Sequence, residues 1–177
     1  MAFTGRYRKA VDEVVYIRKE KDYLVERIND GGDIYCFPVS KDSLVFTDFN
    51  VKGGVRRNEK GAVMSLQTVW QKEPMPRMRE DEFSPSEYLK QKKYNEAKLA
   101  FRQMNLNEYQ ITYLVYELLN KKQGDMEAIK TILALAEEQH PSSAIVSSRW
   151  GDYYLKLGDR KQAIVSYRRA LSLDPND

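Results

Sequence analysis

AIVSSRWGDYYLKLGDRKQAIVSYRRALSLDPN, residues 144 to 176, decides the reading of this chain. Apolar, small and aromatic residues fall at Trp150, Gly151, Tyr154 and Leu157, and again at Ala163, Ile164, Tyr167, Ala170 and Leu171. That is helical spacing on both sides of a two-residue break, Gly158-Asp159, and Pro175 closes the stretch. The pattern predicts two antiparallel helices joined by a tight turn. Gly151 and Ala163 are small, so the two axes can approach closely, and Tyr154 and Tyr167 fill what space is left.

The same residues resemble the tetratricopeptide repeat. Its signature of about 34 residues runs Trp, Leu-Gly, Tyr, Ala, Phe or Tyr, Ala, Pro. Ser147 stands where the family often has Trp, and Trp150 stands where it has Leu. The resemblance implies a scaffold that holds a protein or peptide partner and does no chemistry.

Upstream, the helical pattern continues. Ser84-Pro-Ser-Glu87 is a capping box with proline at the first helical position, so a helix is expected to begin there. Tyr88, Tyr94, Ala97 and Phe101 follow. Asn107 is placed to cap a helix carrying Ile111, Leu114, Val115, Leu118 and Leu119. Asp125 is placed to cap another, carrying Ala128, Ile129, Ile132, Leu133 and Ala136. Ala97, Ala128 and Ala163 take the same repeat position, which gives about three helix pairs. About three is also the minimum for stacking to bury a continuous core.

Before residue 80 the chain has a different character. Short β-branched and aromatic runs alternate with turn signals. Strands are expected at Gly5–Arg8, Val14–Lys19, Tyr23–Ile28, Ile34–Val39, Ser43–Phe46, Val51–Arg57 and Ala62–Val69. Asn29-Asp-Gly-Gly32 and Asn58-Glu-Lys-Gly61 are hairpin turns. Such a meander avoids exposed edges by curling. The fold class is therefore α+β: a small antiparallel β-barrel or rolled sheet over residues 1–78, a linker at 79–83 overlapping the end of the proline- and charge-rich stretch Glu73–Glu82, and tetratricopeptide-like helices over 84–177. Tyr7, Tyr16, Tyr35, Phe37, Phe46 and Trp70 are the candidates to fill the barrel.

Phe3-Thr-Gly5-Arg-Tyr7, Cys36-Phe-Pro38-Val-Ser40, Phe46 and Asn58-Glu-Lys-Gly61-Ala-Val63-Met-Ser-Leu66 also carry a resemblance. They are similar to the small all-β module that follows the catalytic domain in many bacterial serine hydrolases of the β-lactamase and penicillin-binding-protein class. That resemblance implies an accessory module without active-site residues, a serine-hydrolase catalytic domain as partner, and a periplasmic place if the chain is the tail of an exported hydrolase.

The chain itself encodes no Gly-x-Ser-x-Gly elbow, Ser-x-x-Lys, His-Glu-x-x-His, Cys-x-x-Cys or P-loop. No enzyme activity, metal or cofactor is expected. His140, the single histidine, sits at a helix end beside Pro141 and reads as a cap or surface residue. Cys36, the single cysteine, excludes an internal disulfide and reads as a buried structural thiol. No apolar run approaches the roughly 18 residues of a membrane helix, and Met1–Arg6 lacks the apolar stretch of a secretory signal. The net charge of +3 arises in the first 80 residues, which hold 15 Lys and Arg against 12 Asp and Glu. Lys52, Arg56, Arg57 and Lys60 cluster in one hairpin, which reads as a solvated turn rather than a nucleic-acid site.

In a repeat of this type the first helix of each pair lines the concave groove. For the last unit that would expose Ile145, Ser148, Arg149, Asp152, Leu155 and Lys156. For the middle unit it would expose Gln110, Tyr113, Glu117, Asn120 and Lys121. This polar face with apolar anchors suits an extended peptide or a helix. The clamp that some family members use for C-terminal carboxylates needs Lys and Asn at fixed groove positions, where this chain has Tyr113 and Glu117. Two rival readings remain: the face packs on the β module or another subunit, or the barrel interior holds one small apolar ligand.

Overall fold

The computed structural model describes residues 3–175. Met1, Ala2 and Asn176, which entered the reading above, lie outside them. The chain divides into two compact units, Met1–Ser84 and Pro85–Asp177.

The first unit is one antiparallel sheet of eight strands in sequence order. They are β1 (Gly5–Ala10), β2 (Glu13–Glu20), β3 (Tyr23–Ile28), β4 (Asp33–Pro38), β5 (Ser43–Phe46), β6 (Val51–Arg57), β7 (Val63–Thr68) and β8 (Met75–Pro76), with a 3-10 turn at Thr47–Phe49 before β6. The sheet rolls until it nearly closes. β8 pairs with β7, Tyr7 of β1 bridges Arg77, and the Met78 amide donates to the Arg6 carbonyl at 2.8 Å. The expected hairpin residues take left-handed backbone, with φ of 47° at Asn29 and 78° at Gly61.

The seam corrects the sequence reading in one respect. Glu73–Glu82 is not a free linker: it contributes β8, and its downstream half is tied to β1. Arg6 donates to the carbonyls of Arg79 and Glu80, and Arg8 pairs with Glu82 at 2.8 Å.

Strand parity sets what fills the barrel. Leu24 pairs with Cys36, and Cys36 with Phe46, so these three point inward together. Tyr7, Leu24, Cys36, Leu44, Phe46 and Leu66 are fully buried. Each large apolar side chain there contributes about 1.5–3 kcal/mol by leaving water. The Tyr7 hydroxyl keeps a partner inside by donating to the Phe3 carbonyl at 2.7 Å. Tyr35 and Phe37 flank Cys36 on β4, so the two-residue period turns them outward; they are 45% and 41% exposed. Trp70, beyond β7, is also exposed and packs edge-on against Phe49. Of the expected interior aromatics, Tyr7 and Phe46 are inside, Tyr16 is half-buried, Tyr35 and Phe37 face outward, and half-exposed Trp70 packs on Phe46 with ring centroids 5.2 Å apart.

The second unit holds α1 (Pro85–Lys90), α2 (Tyr94–Gln103), α3 (Glu108–Asn120), α4 (Met126–Gln139), α5 (Ala144–Leu157) and α6 (Arg160–Leu173). They form three consecutive helix pairs. Side-chain caps mark the starts of the last four. Asn107 and Gln110 form a reciprocal capping box on α3, Asp125 accepts from the Glu127 and Ala128 amides, Ser143 from Val146, and Asp159 from Gln162. At the end of α5, Gly158 takes φ 80°, a left-handed cap that lets Asp159 begin α6 at once. Ala97, Ala128 and Ala163 are all buried. One core runs through the unit from Leu89 and Phe101 to Ile111, Val115, Ile132, Leu133, Val146 and Tyr153.

Candidate protein-binding groove

α3 and α5 lie side by side, and α4 packs against both. The seam between α3 and α5 is built from Arg149, whose guanidinium lies 5.2 Å from the Tyr116 ring centroid. A cation over an aromatic face is held by the ring quadrupole. Nη1 of Arg149 also donates to Asp152 at 2.7 Å, and the other Asp152 oxygen accepts from the Tyr167 hydroxyl at 2.7 Å. Burial and that hydrogen bond push the Tyr167 phenol up to about 12, so it stays a donor. The chain Tyr116, Arg149, Asp152, Tyr167 thus links three helices. At the far end of the seam, the Lys156 ammonium donates to the carbonyls of Leu119 and Lys121, which closes the open C-terminal end of α3.

Along α5, Ile145, Arg149, Asp152 and Lys156 fall in one stripe, because steps of three, four and seven residues return near the same angle. Ser148 and Leu155 border that stripe, about 40° and 60° round the helix from Asp152. On α3, Tyr109, Tyr113, Tyr116 and Asn120 share a face by the same rule, and all four are exposed. Asn120 donates to the Tyr116 carbonyl at 2.8 Å. Glu117 lies about 40° round the helix from Tyr113 and Gln110 about 60° from it, so both border the row, and Gln110 is occupied in the capping box. Lys121 follows the last turn of α3 as its C-cap.

The structure therefore brings Tyr113, Asn120, Ile145, Arg149, Asp152 and Lys156 to one side, with exposed Glu117 at its edge, one turn on from Tyr113. Sequence reasoning missed Tyr109 and Tyr116. They are 66% and 47% exposed, and Tyr113 is 61% exposed. The Tyr113 and Tyr116 rings stack with centroids 6.2 Å apart and planes 29° apart. The signal that finds them is the cap. Asn107 opens α3 as Ser143 opens α5, and counting from the caps places Tyr109, Tyr113, Tyr116 and Asn120 opposite Ile145, Arg149, Asp152 and Lys156. Counting from Ala128 and Ala163 displaces α3 by one residue.

Within the basic hairpin, Arg57 is tied to Asp42 and to the carbonyls of Lys41 and Gly61. A ring nitrogen of His140 lies 3.0 Å from the Leu106 carbonyl, and its amide caps α4. Cys36 is buried and its thiol is pushed up to about 12 by burial, which keeps it in the unreactive form. Among the described residues no group of three or more His, Cys, Asp or Glu is placed to hold a metal ion, and no helix is long and apolar enough to cross a membrane.

Comparison with known proteins agrees with this geometry at one place. The tetratricopeptide repeat family matches residues 144–177, the segment that holds α5 and α6. No curated protein matches the chain, and nothing found supports kinship between residues 3–78 and the accessory modules of serine hydrolases. The chain carries a tetratricopeptide repeat at its C-terminal end, behind a nearly closed antiparallel β-barrel.

Proposed function

We propose that this chain is a non-catalytic protein-interaction module whose α3–α5 face holds a protein or peptide. The observation that carries the reading is the exposed tyrosine row on α3 facing the Arg149 seam, in a unit that ends in a tetratricopeptide repeat. Tyr and Arg are the residues that bind most per side chain at interfaces, the first by area and the second by forked hydrogen bonds. Catalysis finds no support in the encoded motifs, because no activated nucleophile is present beside a base.

The rival reading, a ligand held inside the barrel, is disfavoured by the interior itself. Tyr7, Phe46, Leu24, Leu44 and Leu66 are fully buried and pack on one another. The finer reading, in which the partner is a serine-hydrolase catalytic domain, rests on the short turn and core motifs of residues 3–66 alone.

The test is recovery of a partner from the native host by the tagged full-length chain. Replacing Tyr113 and Arg149 together with alanine is expected to lower recovery by tenfold or more, at the few kcal/mol typical of paired anchors. Lys130→Ala with Arg168→Ala, both exposed and away from the seam, is expected to change little. Equal recovery from the Tyr113 and Arg149 variant and the wild type would remove the groove from the account. A hydrolase catalytic domain among the recovered proteins is the result the finer reading requires.

A further inference from the structure

The way α5 covers α4 shows what the matching surface of α6 is shaped to meet. Counting from the paired alanines Ala128 and Ala163, Ile129, Leu133 and Ala136 of α4 take the places of Ile164, Arg168 and Leu171 of α6. In α4 all three are fully buried, in one core with Val146 and Tyr153 of α5. In α6 all three are exposed, Ile164 by 51% and Leu171 by 56%. The first helices repeat the contrast. Counting from the caps, Leu155 of α5 stands where Leu119 of α3 packs on the core, and Leu155 is 51% exposed.

These residues make one face. Arg168 and Leu171 lie about 40° and 20° round the helix from Ile164. Arg169, which reaches Glu137 of α4, lies about 140° round. The ridge Ile164, Arg168, Leu171 is therefore turned from α4. An extended peptide gains no ladder from it, because the backbone of α6 is already bonded within its own turns. A second helix brings its own bonded backbone and packs ridge into groove.

Arg168 selects the chemistry of that helix. A partner seated on α6 as α5 is seated on α4 covers Arg168 at the place where Leu133 is fully buried. A guanidinium is costly to bury unless a carboxylate goes in with it. The border of the face has the same sign. Among the described residues, Lys156, Arg160, Lys161 and Arg168 stand there against Asp159 and Asp174. No hydrogen bond or ion pair among the described residues engages the side chains of Arg160, Lys161 and Arg168. The matching places in α4 hold Asp125, Met126 and Leu133, so this positive charge is not a feature of the repeat itself. A second copy of the chain would bring the same cations to the same face.

We propose that the Ile164–Arg168–Leu171 face of α6 docks an acidic amphipathic helix of a partner protein, with apolar side chains on Ile164 and Leu171 and a carboxylate on Arg168. This partner is a second protein, so Arg168 stays a silent position for the one held on the α3–α5 face.

The experiment uses the full chain and a fluorescein-labelled, alanine-rich helical peptide of about five turns, with leucines seven residues apart and glutamates between them on the same face. Binding is read by anisotropy at low salt. One control peptide has lysine for each glutamate, and another has glutamine for each leucine. The expected result is saturable binding of the glutamate peptide, with both controls at least tenfold weaker. Arg168→Glu should weaken the glutamate peptide tenfold or more and strengthen the lysine peptide. Ile164→Ser with Leu171→Ser should abolish binding, and Lys130→Ala should leave it unchanged. Unchanged circular dichroism and melting of each variant secure the comparison.

Absence of saturation at millimolar protein, or equal binding of the glutamate and lysine peptides, would overturn the proposal. Binding that survives Ile164→Ser with Leu171→Ser but not Arg168→Glu would mean a plain anion-binding surface and overturn it too. A dimer in sedimentation that the serine variant dissolves would give the face to a second copy instead.

Discussion

Gly151 shows how a single missing Cβ organises the last repeat. A Cβ built there would lie 2.6 Å from Cζ and 2.7 Å from Cδ1 of Tyr167, well inside van der Waals contact. The ring cannot yield freely, because its hydroxyl is bonded to Asp152. Gly151→Ala is therefore expected to cost about 1–3 kcal/mol by overpacking, measured by urea unfolding. An unchanged midpoint would mean the two helices are not in this contact. Glu26 makes a second residue-scale case. Its register places it between Ile17 and Ile34, it is 3% exposed, and one carboxylate oxygen has no partner. Burial pushes its carboxyl up to about 7, with Lys9 opposing weakly, against 4.5 in the ordinary state. The folded protein thus holds the proton more tightly than the unfolded chain. Stability is highest below the unfolded value and declines as pH rises, with the loss complete above about 7. Glu26→Gln should flatten that profile and raise stability at pH 8 by an amount on the order of 3 kcal/mol. A variant with the same slope between pH 5 and 7 would show that Glu26 is hydrated in solution.

At the scale of elements, the caps matter most. Asn107 satisfies the Gln110 amide and receives the Gln110 side chain in return. Asn107→Ala should cost about 1 kcal/mol and loosen the helix that carries the tyrosine row. The register of α3 also makes a direct prediction. Tyr116→Ala should weaken partner binding and Glu117→Ala should not, although the two are neighbours. The reverse result would restore the register obtained by counting from the alanines. The one-residue difference between the two counts has a physical origin: the α3–α4 connection runs from Lys121 to Asp125, whereas Gly158 and Asp159 alone separate α5 from α6. A longer connection lets α3 rotate by one residue without moving Ala128. The seven principal strands and all the helix pairs were legible because apolar period and turn residues mark them. β8 was not, because two residues with a proline, Met75–Pro76, carry no alternation. Tyr35 and Phe37 were misplaced because aromatic character marks a strand but not its inward face. Parity came from the pairing of Cys36 with Leu24, which no local pattern displays.

At the scale of the whole chain there are two cores. One gathers Tyr7, Leu24, Cys36, Phe46 and Leu66, the other Phe101, Ile111, Ile132, Leu133 and Val146. Each unit also holds one of the two tryptophans, Trp70 and Trp150. Variants retaining a single tryptophan each report on a single unit. Independent cores should give two urea midpoints, one for each tryptophan, and a single coincident transition would mean that the units unfold as one.

The most direct measurement of the groove is site-specific photocrosslinking in the native host. A benzophenone amino acid in place of Tyr113 or Tyr116 should capture the same protein, and the same group in place of Arg168 or Phe37 should capture none of it. Adducts of equal yield from Arg168 or Phe37, with none from Tyr113 or Tyr116, would place binding elsewhere and contradict the assignment of the α3–α5 face.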